Sequence, residues 1–192
     1  MKPIQIAFFL VIAVFYTAYF SKIVLQRKNG IRTDQIGKGS KQQKVLLIEK
    51  LMKLATYLIV PVEILCCLLG YGLQDSPTGW VGIGVAFLGV CIFITAMITM
   101  RDNWRAGIPT NDETKLITSG LYRISRNPAF LGFDLMYLGL LIVCFHFIHF
   151  LFALFPIVML HLQILQEEKF LSSQFGEEYA QYKKRVGRYF IL

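Results

Sequence analysis

Residues 128–166 are almost continuously apolar, and no single membrane-crossing helix can contain them. At 1.5 Å per residue such a helix would be about 58 Å long, against a hydrocarbon core of about 30 Å. The run must therefore turn back. His146 and His149 are the polar residues near its middle, so the pattern predicts a tight helical hairpin with arms 128–146 and 149–166. Pro156 falls in the returning arm, where it favours a kink. Three further apolar stretches, 3–25, 54–72 and 80–100, are each suited to one crossing. The fold class that follows is an all-α integral membrane protein with about five transmembrane helices in a single membrane domain, residues 1–192. Composition agrees: 55% of the residues are hydrophobic, 17% are charged, and mean hydropathy is +0.54. The first stretch follows Lys2 and lacks a small-residue cleavage site, so it reads as an uncleaved helix rather than a signal peptide.

Five crossings place the loop after the first span, residues 101–127 and residues 167–192 on one side. These segments and their flanks hold every one of the 20 Lys and Arg except Lys2. That side is expected to be the cytosol, which puts the N-terminus outside and the C-terminus inside the cytoplasmic membrane. A net charge of +8 would suggest nucleic acid in a soluble domain; beside apolar spans it is explained by membrane lipid, and no nucleic-acid partner is expected. Residues 26–45 read as a basic, glycine-dotted loop, and the helix after it begins amphipathic with Glu49, Lys50 and Lys53. Gly82, Gly84 and Gly89 in the third span mark close helix contact. Cys66, Cys67, Cys91 and Cys144 all fall in apolar spans and read as small buried hydrophobes. His146, His149 and His161 are scattered, so no metal is expected. Nucleotide-loop, zinc-protease and serine-hydrolase motifs are absent from the sequence.

The candidate chemistry gathers at Gly120–Gly132, where Tyr122, Arg123, Arg126 and Asn127 precede an apolar helix. Pro128 suits the first helical turn and Asn127 suits the N-cap, so a helix start with unpaired N–H groups offers a place for an anionic group. Glu167 and Glu168 end the returning arm. In a hairpin they come beside Arg123, Arg126 and Asn127, which makes a cytosolic pocket with carboxylates on one wall and cations and aromatic rings on the other. Such a pocket suits a zwitterionic, partly aromatic ligand. Ordinary headgroup-level charge would produce the same residues. Glu63 and Asp134 lie within spans, where ionisable groups are costly and therefore functional candidates.

The stretch Gly120-Leu-Tyr-Arg-Ile-Ser-Arg-Asn-Pro-Ala-Phe-Leu-Gly132 resembles the Arg-x-x-Arg-His-Pro-x-Tyr-x-Gly signature of the isoprenylcysteine carboxyl methyltransferase family, whose superfamily includes phospholipid methyltransferases. Thr114–Tyr122, the Glu167-Glu168 pair and Phe175-Gly-Glu-Glu-Tyr179 with Tyr182-Lys-Lys-Arg-Val186 extend the likeness over about residues 101–188. The resemblance implies S-adenosylmethionine as methyl donor, with S-adenosylhomocysteine as its product, and a lipophilic methyl acceptor. It implies that Thr114, Lys115, Leu116, Ile117 and Tyr122 line the cofactor pocket, that Asn127, Pro128, Ala129 and Phe130 cap it, and that Glu167 binds cofactor. Arg123, Arg126 and Glu168 are the implied catalytic candidates, the arginines orienting an anionic acceptor. The implied reaction is methylation of a prenylcysteine-type carboxylate by in-line displacement, which works mainly by positioning. Three residues depart from the pattern: Asn127 replaces the family's His, Phe130 its Tyr, and Gln163 an arginine expected four residues before Glu167. Asparagine cannot titrate and resembles the phospholipid branch. Alternatives are methylation of a phospholipid or other small molecule at N or O, an NADPH-dependent membrane reductase, and a scaffold without catalysis.

Overall fold

The structure is a computed structural model, and it describes residues 1–109 and 115–190. Five α-helices account for most of the described residues: α1 (Pro3–Lys28), α2 (Gln43–Leu69), α3 (Pro77–Met100), α4 (Pro128–Val143) and α5 (Phe147–Arg185). Short 3-10 turns at Arg101–Asn103 and Gly120–Arg123 lie between α3 and α4. Helices α1, α2, α3 and α5 are long and apolar enough to cross a membrane. Helix α4, with 16 residues, is about 24 Å long. Large apolar side chains such as Leu65, Phe87, Leu88 and Ile98 point outward, as a lipid-facing surface requires. The expected all-α membrane architecture is therefore the observed one.

The apolar run does turn back, slightly earlier than its histidines suggest. Helix α4 ends at Val143, and His146 caps α5, its Nδ1 accepting from the Ile148 N–H at 3.3 Å. The two arms then diverge, α4 packing chiefly on α3 and α5 chiefly on α2. Helix α5 does not stop where the apolar residues do. It runs 39 residues, about 58 Å, to Arg185, with a kink at Gly176 where φ is 50°. Residues 147–166 suffice in length for a crossing of about 30 Å, and the helix continues well past that length from Glu167. The tail read from the sequence as a separate element is mostly the outer half of the last helix.

Helices α3 and α4 meet along glycines. A Cβ at Gly89 would lie 2.6 Å from the Gly132 carbonyl oxygen, and one at Gly139 would lie 2.6 Å from the Gly82 carbonyl oxygen. Backbone contact this close excludes any side chain. Gly84 faces open space and is no part of the seam. Gly89→Leu is expected to cost at least about 1–3 kcal/mol through overpacking, read as a lowered midpoint in detergent unfolding, while Gly84→Leu leaves the midpoint unchanged. Cys91, also on α3, is exposed, unlike buried Cys66, Cys67 and Cys144, because it lies off this packed face. Asp134, a functional candidate on the sequence, has one buried carboxyl oxygen without a partner among the described residues, and both oxygens of Glu63 are in the same condition.

The connections collect at the two ends of the bundle. At one, the Gln74 N–H donates to the Val143 carbonyl at 2.8 Å and the Phe145 N–H to the Gly72 carbonyl at 3.1 Å. At the other, Gln35 and Thr33 exchange hydrogen bonds with Ala106 at 2.8 and 3.0 Å, and the Arg126 N–H donates to the Gly187 carbonyl at 3.0 Å. The basic loop, the segment before α4 and the tail thus share one end, as the charge distribution required. Glu49 anchors the loop. Fully buried, its carboxylate accepts from Lys41 Nζ at 2.8 Å, the Gly37 N–H at 2.6 Å and the Ile108 N–H at 3.0 Å.

Candidate functional site

Two cavities open at this end of the bundle. The larger, about 300 Å³, is walled by aromatic and apolar side chains of all five helices, among them Tyr16 and Tyr19 of α1, Met52 of α2, Phe93 of α3, Phe133 of α4 and Leu160 of α5. The smaller, about 130 Å³, lies between Asn103–Pro109, Lys115, Tyr122, the start of α4 and Glu167, Phe170 and Leu171 of α5. Trp104, Arg105, Gly107, Ala129, Phe130 and Glu167 line both. A mostly apolar chamber and a more polar one therefore meet at a shared wall made by the N-terminal turn of α4 and the point where α5 leaves its apolar stretch.

Glu167 is the acid at that junction, which Arg105 also lines. Its Oε1 accepts from Gln163 Nε2 at 3.0 Å. Burial pushes its carboxyl up to about 7; the Gln163 hydrogen bond works against the rise, and Glu49 adds to it. A carboxyl held this way is poised to ionise when a cation arrives. Tyr122 is buried beside it. Burial, followed by the nearness of Glu167 and Tyr182, raises its phenol well above the ordinary value and keeps it neutral. The Tyr122 backbone is fixed from the tail, since Tyr182 Oη donates to its carbonyl at 2.6 Å.

Glu168 faces the other way. It accepts from Arg126 Nη2 at 2.9 Å, Arg188 Nη2 at 3.0 Å and Asn127 Nδ2 at 3.2 Å. Burial opposes its ionisation, but the hydrogen bonds from Arg188 and Arg126 outweigh that and hold its carboxyl below the usual range. Arg126 also donates to the Val186 and Lys183 carbonyls, so its guanidinium is committed to Glu168 and the tail. Asn127 begins α4 as expected, yet its side chain makes no cap hydrogen bond; it reaches instead to Glu168 and the Arg188 carbonyl. Pro128 occupies the first turn.

Of the residues singled out from the sequence, Lys115, Tyr122, Arg126, Asn127, Ala129, Phe130 and Glu167 border the smaller cavity. Arg123 is exposed and borders neither cavity. Leu116 packs on Tyr179 and Tyr182, and Ile117 and Pro128 lie off both cavities. Thr114 lies outside the described residues. Trp104 and the aromatic wall of the larger cavity were not singled out, because membrane spans are rich in such rings whatever they surround. No group of three metal-type ligands occurs among the described residues.

The likeness to known proteins falls on this half of the chain. The family profile described as phospholipid methyltransferase matches residues 77–178, from the start of α3 to just past the α5 kink. A curated relative from Schizosaccharomyces pombe (strain 972), named protein-S-isoprenylcysteine O-methyltransferase, is 30% identical over 107 residues. That match covers 54% of this chain and 45% of the relative, so the chain spans less than half of the protein it resembles there. The profile takes in the glycine seam, the α4 start and the Glu167-Glu168 pair together, and on this match the chain belongs to the phospholipid methyltransferase family.

Proposed function

We propose that this chain transfers a methyl group from S-adenosylmethionine to a lipophilic acceptor, of which a prenylcysteine-type carboxylate is the first candidate. The observation that carries the reading is the junction of a polar cavity with an aromatic one at Ala129, Phe130 and Glu167. A methyl donor that is zwitterionic and cationic at sulfur suits the polar side, where the Glu167 carboxyl accepts from the Gln163 amide. Bound there, S-adenosylmethionine supplies an electrophilic methyl group. Glu167 holds positive charge, Tyr122, Asn127 and Lys115 line the ligand, and Trp104 and Phe130 exclude water from the shared wall. The larger cavity holds the acceptor's apolar body. Tyr16 and Phe20 of that cavity also border a groove on the outer face of α1, which supports entry from the bilayer side. We assign Arg126 and Glu168 to locking the tail against the start of α4, and leave Arg123 to the exposed rim. The orientation with the N-terminus outside and this site at the cytosolic face belongs to the same proposal, as do the spans read from the sequence.

Labelled S-adenosylmethionine offered with a farnesylated cysteine derivative, phosphatidylethanolamine or a lipophilic phenol tests the reading. Label is expected in the farnesylated cysteine as a base-labile ester. Label in phosphatidylethanolamine instead would keep the methyl transfer and change the acceptor. Binding of NADPH with no binding of S-adenosylhomocysteine at millimolar concentration would overturn the reading.

A further inference from the structure

The far end of the larger cavity is not apolar. Tyr16 is the deepest of the cavity's α1 residues, Phe133 the deepest on α4, and Thr56 and Tyr57 the deepest on α2. Tyr137 continues the Phe133 face one turn further, its ring centroid 6.1 Å from that of Phe133. Glu63 lies seven residues beyond Thr56 on α2, about 10 Å deeper along the helix. Glu63 and Tyr137 are fully buried, and Tyr16 and Tyr137 both lie near Glu63. The Tyr16 and Tyr137 hydroxyls lie beside each other, and both Glu63 oxygens are buried without a hydrogen-bond partner among the described residues. Three helices thus bring four buried oxygens together in the apolar layer, where the unpaired carboxyl is costly. Leucine and phenylalanine would fill the same space at no such cost.

We propose that this cluster is a second, polar subsite of the cavity, which takes a hydroxyl at the far end of a lipophilic ligand. Tyr16, on the cavity wall, contacts that hydroxyl; Glu63 and Tyr137 are positioning residues that orient and polarise the Tyr16 hydroxyl. A phenol both donates and accepts, as does the ligand's hydroxyl, so the pair is complementary. The aromatic walls hold the chain between the two polar ends. The inference rests on the larger cavity being the acceptor's place, and it narrows the acceptor to chains bearing a distal hydroxyl.

Decanoate and 10-hydroxydecanoate are suitable probes, because the carboxylate keeps the chain's head at the mouth. Trp104 lines the cavity, so its fluorescence reads binding in a Trp80→Phe background that leaves one of the two tryptophans. In the wild-type cavity, 10-hydroxydecanoate is expected to bind at least about tenfold tighter than decanoate, the reverse of what a purely apolar chamber gives. Tyr16→Phe, which removes one oxygen, and Glu63→Leu are each expected to bring the two affinities together. Equal binding in the parent protein, a preference that survives both substitutions, or no saturable binding of either probe would overturn the proposal. Methyl transfer is measured separately. Transfer without the hydroxyl preference overturns this inference alone, and the preference without transfer to any acceptor overturns the enzymatic reading alone.

Discussion

Glu167→Ala is expected to weaken binding of S-adenosylhomocysteine by roughly 10–200-fold while the protein stays folded and monodisperse in detergent. The carboxyl lines both cavities, and Gln163 donates to it at 3.0 Å. A hydrogen bond to a charged partner contributes about 1.5–3 kcal/mol, and tenfold in affinity is about 1.4 kcal/mol. Glu167→Gln separates the partners: the full loss follows if the carboxylate meets the ligand's ammonium, little if it meets ribose hydroxyls. The pH dependence gives an independent check. Burial lifts this carboxyl from an ordinary 4.5 to about 7, so the folded protein holds its proton more tightly than the unfolded chain. Without ligand, this group therefore lowers stability as pH rises from about 4.5 to about 7, by about 3 kcal/mol in all, and adds nothing further above that. A bound cation favours the ionised form, so ligand affinity runs the opposite way and rises as pH climbs through 7. Glu167→Gln should flatten both profiles. Calorimetry between pH 6 and 8 that shows no change in wild-type affinity would remove Glu167 from the cation's site.

Glu168→Ala is expected to act on stability before it acts on chemistry. The side chains of Arg126 and Glu168 are 7% and 6% exposed, and Arg188 and Asn127 complete the carboxylate's shell. Removing the acid leaves the Arg126 guanidinium buried without its counter-charge, which costs about 3–5 kcal/mol. The tail contacts made through Arg126 to Lys183 and Val186, and through Asn127 to Arg188, loosen with it. The expected results are a lower unfolding midpoint in detergent and faster proteolysis after Arg185. Glu168→Gln keeps the acceptor oxygen and should lose less. A residue acting only on the acceptor would leave both measurements at wild-type values, and that outcome would return Glu168 to a catalytic role. The two adjacent glutamates are thus separated by the helix itself: successive residues on α5 point about 100° apart, one to the cavities and one to the arginines.

Length and hydropathy alone determined the helical class, the forced reversal within 128–166 and the gathering of basic segments at one end, because the bilayer fixes how far an apolar helix can run. Local chemistry determined the start of α4, since Pro128 is tolerated only in the first turn. Which helices pack together was not local. Glycines at 82, 84 and 89 look alike in sequence, and only the approach of α4 separates the seam glycines from Gly84. The end of α5 is not legible for a related reason: polarity after Gln166 marks the end of the apolar run, not the end of a helix, whose hydrogen bonds persist in water. Glu49 shows the limit most plainly. On the sequence it belongs to an amphipathic face beside Lys50 and Lys53, yet the fold buries it completely to hold Lys41, Gly37 and Ile108. The same holds for Glu63. Its place in a span marked it as costly, but its neighbours Tyr16 and Tyr137 come from other helices, and only the bundle brings them together.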